Sequence, residues 1–185
     1  LTELGPTGAE ARERVYIGLG SNIQDPRHQL ESALRELARL PATRLAAVSP
    51  RYRTAPVGPA DQPDFINAVA CLETALAPSA LLAALQQIEQ RHGRRRGAQR
   101  WGPRSLDLDI LLYGARELAL ADLRIPHPQM HRRAFVLVPL ADIASAELEI
   151  PGLGRLGALL EQVTDDARVV RSGSLPPITE STTTP

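Results

Sequence analysis

A two-layer α+β sandwich built in the order β-α-β-β-α-β is the fold this sequence predicts. Three observations carry that reading: a short apolar strand pattern near the start leads directly into an amphipathic helix, two extended segments and a second such helix follow, and an alternating strand closes the series. The 185 residues are 43% hydrophobic and 23% charged, enough for one sizeable core and too short for two ordinary domains.

The elements follow in order. Val15 to Leu19 is a short apolar strand that breaks at Gly20-Ser21-Asn22. Asp25 followed by Pro26 is a helix-start signal, and Leu30, Ala33, Leu34 and Leu37 then recur on one face until Pro41 ends the run. Thr43 to Thr54 and Asp64 to Thr74 are extended segments, joined by a loop with Pro56, Gly58, Pro59 and Pro63 that is too proline-rich for a tight hairpin. A second helix starts near Pro78, with Leu81, Leu82, Leu85 and Ile88 on one stripe and Gly93 as its stop. Residues 94–105 have no period. Leu106, Leu108, Ile110 and Leu112 then alternate with Asp107 and Asp109, a strand with one apolar face. This is the split βαβ arrangement of a ferredoxin-like sandwich. Additional C-terminal elements are a short hairpin near Glu117 to Leu123 and helices near Met130 to Leu137 and Leu156 to Val163. The composition of residues 1–13 and 172–185 reads as two disordered tails around a single domain at 14–171.

Charge and cysteine content exclude several classes of function. The 21 basic and 21 acidic residues cancel, so no global field draws the chain to nucleic acid or a membrane. Every basic residue is arginine, which removes Schiff-base and phosphate-loop lysine chemistry. The single cysteine, Cys71, rules out an internal disulfide and a cysteine-rich zinc site, and fits a reducing cytoplasm. No apolar run approaches a membrane span, and the start, at Leu1 rather than a methionine, has no signal-peptide pattern; the chain reads as soluble and as a possible piece of a longer one.

Asp107 and Asp109 are two apart on a predicted strand, so both carboxylates leave one face, with backbones about 6.5 to 7 Å apart. Such a pair suits magnesium completed by substrate phosphates, but a bare Asp-x-Asp is more often an exposed strand face with two solvated acids. Directly upstream stand Arg94, Arg95, Arg96, Arg100 and Arg104, interleaved with glycines and Trp101. Guanidinium groups grip phosphate oxygens at two points, so a basic loop beside a carboxylate pair is a polyphosphate-metal arrangement; a solvated loop and an RNA-binding arm are the alternatives. Gly18-Leu19-Gly20 lacks the third glycine of a dinucleotide fingerprint and reads as a tight strand-to-helix turn. His127 and His131 have helical zinc spacing, but Pro126 and Pro128 flank His127 and forbid a regular helix there. His127 is then a donor to phosphate or an ordinary loop histidine. Phe65 and Asn67 share a strand face, where an aromatic plane beside an amide suits a flat polar heterocycle, although lone strand aromatics are usually core.

Four stretches in order, YIGLGSN (16–22), YRTAPVGPADQPDFINAV (52–69), RWGPRSLDLDILLYG (100–114) and IPHPQMHRRAFVLVPL (125–140), closely resemble the 6-hydroxymethyl-7,8-dihydropterin pyrophosphokinases of folate biosynthesis. The resemblance spans about residues 14–165. It implies transfer of the β,γ-diphosphate of ATP to the pterin hydroxymethyl group, releasing AMP, on a ferredoxin-like fold with two Mg²⁺ ions. Carried over by position, Asp107 and Asp109 hold the metals and Arg94 and Arg104 are catalytic. Gln86, Glu89, Arg96, Trp101, Ile110, His127 and Arg133 surround ATP and its phosphates. Thr54, Val57, Phe65, Asn67 and Phe135 hold the pterin, its ring lying between the two phenylalanines, and the loops at 56–64 and 94–104 close over both substrates. Phe65 stands where tyrosine is often found, and Ala55 and Pro128 replace a common proline and a frequent tyrosine. The implied partners are two small molecules, with no nucleic acid and no membrane, and the enzyme acts as a cytoplasmic monomer. The competing reading of a ferredoxin-like RNA-binding module calls for an aromatic pair on central strands and a net basic charge, and neither is present. A catalytically silent relative would not be expected to keep Asp107, Asp109 and Arg104.

Overall fold

The structure is a computed structural model, describing residues 11–56, 61–94, 102–164 and 168–175. Its order is β1 (Glu13–Ser21), α1 (Pro26–Leu37), β2 (Thr43–Val48), β3 (Arg51–Thr54), β4 (Phe65–Thr74), α2 (Pro78–Arg91) and β5 (Asp107–Tyr113). There follow the hairpin β6 (Leu118–Ala119) and β7 (Arg124–Ile125), a 3₁₀ turn (Met130–Arg132) and α3 (Ala134–Ala141). The series ends with β8 (Glu149–Ile150), β9 (Gly154–Arg155), α4 (Leu156–Gln162) and β10 (Val170–Gly173). The main sheet runs β10-β3-β4-β1-β5, with β2 also paired to β4, and every pairing is antiparallel. That is the predicted split arrangement: β1 and β4 lie at the centre, and the two helical crossovers return the chain over one face.

Alternation along the strands sorts the core into two layers. Val15, Ile17 and Leu19 of β1, Ala68, Ala70 and Leu72 of β4, and Leu108 and Ile110 of β5 meet the apolar stripes of α1 and α2. On the opposite face Tyr16, Val69, Cys71, Leu111 and Leu112 pack with Met130 and with Val136, Leu137 and Leu140 of α3. The α3 layer covers that face only in part, and its uncovered portion holds the pocket described below.

Asp25 caps α1 as expected, its carboxylate accepting the His28 N–H at 3.3 Å. Three expectations need correction. β1 does not break at Gly20: a strand with partners on both sides pairs its backbone through Ser21, and no turn is made by the glycines. The extended run at 43–54 is two strands. Pro50 has no N–H to give a ladder, while Ser49 still exchanges backbone and side-chain bonds with Val69, both at 2.9 Å. The tails predicted at 1–13 and 172–185 also reach too far inward, because composition does not register backbone pairing. Glu13 opens β1 opposite Thr74, and Ser172 and Gly173 belong to β10, which covers the edge of β3. Residues 1–10 and 176–185 lie outside the described residues.

Candidate active site

The odd residues of β4 and β5 and the even residues of β1 share the partly covered face. Strand register therefore lays out two rows across the sheet: Asn67, Gly20 and Asp107 in one, Val69, Gly18 and Asp109 in the next. With no side chains at positions 18 and 20, the middle of each row is a floor. Over it lies a cavity of about 310 Å³, with Phe65, Asn67 and Thr54 on one side, Asp107, Asp109 and Arg104 on the other, and His127, Arg133 and Phe135 along the wall.

The β3–β4 side is neutral. Buried Asn67 donates from Nδ2 to the Thr54 Oγ1 at 2.7 Å. A Cβ on Gly20 would come within 3.0 Å of the Asn67 Oδ1, so the glycine makes room for the amide oxygen. Tyr52, one strand position from Arg53 on β3, donates from its hydroxyl to the Asp142 Oδ2 at 2.6 Å and ties this edge to the end of α3. Burial and then that bond push the Tyr52 hydroxyl up to about 12. Phe135, at the start of α3, carries the Arg133 guanidinium 5.6 Å from its ring centre.

The β5 side is charged. Each oxygen of Asp107 meets one arginine, Oδ1 the Arg94 Nη1 at 2.6 Å and Oδ2 the Arg104 Nη1 at 2.7 Å. Arg94 also donates to the Glu89 carboxylate. It is aimed there by the end of α2: Gly93, at φ 85°, donates to the Gln90 carbonyl and Arg94 to that of Glu89, the paired bonds of a glycine-stopped helix. Buried Glu89 in turn accepts the Leu108 N–H of β5 at 2.8 Å, joining α2 to the carboxylate strand. Burial, then the nearby Asp107 and Glu89 charges, push Asp109 up to about 7. Burial pushes Glu89 up as well. Burial works against the Arg94 charge, but Asp107 and Glu89 outweigh it and raise its pKa. Burial and the Arg133 charge push His127 down to about 4. His127 is therefore neutral at physiological pH, and since its Nδ1 accepts the Gln129 N–H at 3.2 Å, its proton sits on Nε2.

Among the predicted site residues, the cavity brings together Thr54, Phe65, Asn67, Arg104, Asp107, Asp109, His127, Arg133 and Phe135, and Arg94 and Glu89 back it through Asp107. Ile110 is on the other face, its side chain buried under α1 and α2 because the strand alternates. Gln86 is half-buried on α2 and does not line the cavity. Val57, Arg96 and Trp101 lie outside the described residues, as do residues 57–60 and 95–101 of the two predicted closing loops. Residue-level reasoning missed two features. One is the glycine floor, whose signal was glycine at alternate positions inside an apolar strand. The other is Asn22, which accepts the Arg104 N–H at 2.8 Å while its amide nitrogen donates to the Gln62 side chain and the Pro63 carbonyl.

Asp107 and Asp109, at alternate positions of one strand face and both on the cavity, form a pair of hard oxygen donors, with Glu89 close behind them. Asp107 and Asp109 fit a divalent cation of magnesium type, and among the described residues no group of three or more metal-ligating side chains stands ready, so phosphate oxygens and water would complete it.

Residues 16–145 match the family model of 7,8-dihydro-6-hydroxymethylpterin-pyrophosphokinase (HPPK). The chain is 56% identical over 148 residues to a 2-amino-4-hydroxy-6-hydroxymethyldihydropteridine pyrophosphokinase of Pseudomonas aeruginosa, covering 80% of this chain and 90% of that one. To the Haemophilus influenzae protein of the same name it is 49% identical over 151 residues, covering 82% and 93%. Among solved structures, an HPPK-DHPS of Plasmodium falciparum superposes with a TM-score of 0.65 at 15% identity, over 87% of this chain. The chain spans about half (47%) of the length of that protein, and the likeness concerns the fold alone.

Proposed function

The chain belongs to the 7,8-dihydro-6-hydroxymethylpterin-pyrophosphokinase family, and from that premise we propose how its pocket divides the reaction. The enzyme transfers the pyrophosphoryl group of ATP to hydroxymethyldihydropterin, a step of folate biosynthesis. The pterin hydroxymethyl oxygen forms a bond to the β-phosphorus, and the bond from that phosphorus to the α,β-bridging oxygen breaks. The bridging oxygen leaves with AMP, and the hydroxyl proton passes to solvent water.

In our reading the neutral side takes the pterin and the charged side takes the triphosphate. The single observation that carries it is the row Asn67, Gly20, Asp107, which sets an amide and a carboxylate on opposite sides of one bare strand position. Phe65 and Phe135 offer planes for the ring, and Asn67, held by Thr54, offers its free amide atoms to the ring edge. Asp107 and Asp109 would hold two Mg²⁺ ions, which when bound supply charge neutralisation at the phosphates and orient the β-phosphorus. Arg94 and Arg104, now spent on Asp107, are placed to exchange that carboxylate for phosphate oxygens, while neutral His127 donates its Nε2 hydrogen and Arg133 adds a fixed charge. Such transfer needs positioning and charge balance rather than a nucleophilic side chain, so none is assigned, and no base either. Arg96, Trp101 and Val57 keep the roles the family motif gives them.

We further read residues 13–173 as one catalytic domain acting as a cytoplasmic monomer on small molecules. The lone Cys71 and the balance of 21 basic and 21 acidic residues support this. Among the described residues no helix is long and apolar enough to cross a membrane.

Electron paramagnetic resonance of Mn²⁺ with α,β-methylene-ATP tests the site. Two ions per chain are expected, with loss of one or both in Asp107→Ala. Retention of both in that variant would contradict the metal role.

A further inference from the structure

A second set of polar side chains fills the groove between α1 and α2, away from the cavity and unused by the chemistry above. Its centre is His92, the residue that ends α2, with Glu36 and Gln29 of α1 on either side. The ring Nε2 lies 2.7 Å from the Glu36 Oε1, and Nδ1 meets the Gln29 Oε1. The Gln29 amide nitrogen is already used, donating to the Gln24 carbonyl at 3.2 Å, so the oxygen is the end that must face the ring. Glu36 also accepts from Arg91 at 2.7 Å. Burial opposes the Glu36 charge, but the bonds from His92 and Arg91 outweigh it and hold its carboxyl below the usual range.

Two side chains, Arg91 and His92, thus reach from the end of α2 to α1, and exposure decides which matters. The Arg91 side chain is 56% exposed, and an ion pair so open to water contributes little. The His92 side chain is 8% exposed, so losing it leaves acceptors facing each other in a groove shaped around a ring.

We propose that His92 is a positioning residue for Arg94, bolting the end of α2 to α1 so that the glycine turn delivers the Arg94 guanidinium to Asp107. The inference rests on the role given to Arg94 above. The turn itself is fixed by backbone bonds from Gly93 and Arg94 to Gln90 and Glu89. It fixes Arg94 relative to α2, which the Glu89 bond to the Leu108 N–H ties to β5, the strand that carries Asp107, but neither bond holds this helix end sideways against α1. His92 supplies the lateral constraint at the one helix end from which the arginine segment leaves. A guanidinium serving a transfer reaction tolerates little displacement, because effective positioning falls steeply within about 1 Å.

Amide exchange and kinetics on His92 variants test this. His92→Ala should speed exchange at Gly93 and Arg94 by about tenfold while the amides of β1 and β4 keep their rates, since a local opening is separate from global unfolding. It should lower kcat by about tenfold with the pterin KM within about twofold, and cost nothing further in an Arg94→Ala background, as expected of two residues acting in series. His92→Gln, which keeps a donor for Glu36, should recover most of the lost kcat. A uniform rise in exchange across the sheet, multiplying losses in the double variant, or full kcat in His92→Ala would each overturn the proposal. A full-speed Arg94→Ala would instead overturn the role of Arg94 itself, whereas a slow Arg94→Ala beside a full-speed His92→Ala would remove only the part given to His92.

Discussion

The two sides of the pocket are made of the same sheet but are held in different ways. On the β3–β4 side, Thr54, Phe65 and Asn67 are placed by strand register, and the side-chain bond between Asn67 and Thr54 stays within the pair of strands. On the β5 side, only Asp107 and Asp109 come from a strand. Arg94 arrives from the end of α2 and Arg104 from the segment that Asn22 grips, and the charges are satisfied by one another. A neutral binding face is completed by pairing alone, whereas a face for polyphosphate stores its charges in mutual pairs until a ligand replaces them.

Substitutions should separate the two sides, beginning with the carboxylates. Asp109→Asn should abolish turnover, a loss of at least about 10³-fold if the metals depend on it, yet stabilise the metal-free protein at pH 8. The sign follows from the raised pKa. In the folded chain Asp109 titrates near 7 rather than 3.8, so its favourable contribution is complete below 3.8 and is lost as the pH rises through 7. His127 runs the other way, its contribution complete above 6.5 and lost as the pH falls through 4. In EDTA, the Tm of Asp109→Asn should therefore change more favourably with rising pH between about 4 and 6.5 than that of the wild type. An unchanged or lower Tm than the wild type at pH 8 would contradict the crowding of charge seen here.

Arg104→Ala comes next. Removing one preorganised charge donor typically costs about 2.7 to 4 kcal/mol in the transition state, so kcat should fall by at least about 10² while ATP affinity changes by less than about tenfold. Single-turnover rates beside nucleotide titrations read the two separately, and a large binding defect with normal chemistry would move Arg104 to ground-state recognition. The smallest effects belong to the neutral side. Asn67→Ala should weaken pterin binding by about 1 to 3 kcal/mol with ATP affinity nearly unchanged. Gly20→Ala should act in the same direction, because its Cβ would press to 3.0 Å on the Asn67 Oδ1. Equal losses for both ligands in calorimetry would mean a folding defect instead.

Much of this architecture was legible in the sequence where one strong period dominated. The stripe of α1, the alternation of β5 and the glycine stop of α2 each follow from a few residues, and they suffice for the split β-α-β-β-α-β order. Two kinds of feature were hidden. Breaks and continuations of strands depend on the partner: β1 passes through Gly20 because β4 and β5 flank it, and β10 forms from Ser/Gly-rich chain because β3 offers an edge. Long-range polar bonds leave no periodic trace either. Asn22 looked like part of a turn, and only the folded chain shows it joining Arg104 to Gln62 and Pro63. Glu89 did carry a physical signal beyond its place in the family motif, since a carboxylate beside Ile88 on a buried stripe calls for a partner, and the partners are Arg94 and the Leu108 N–H.

The central claim is that one pocket brings the pterin hydroxymethyl group to the β-phosphorus of ATP. ³¹P NMR of the wild-type protein with ATP, Mg²⁺ and 6-hydroxymethyl-7,8-dihydropterin tests it directly. AMP and pterin diphosphate should appear in equal amounts, with no AMP when the pterin is left out. ADP as the main nucleotide product would contradict the claim, since it would place the attack on the γ-phosphorus.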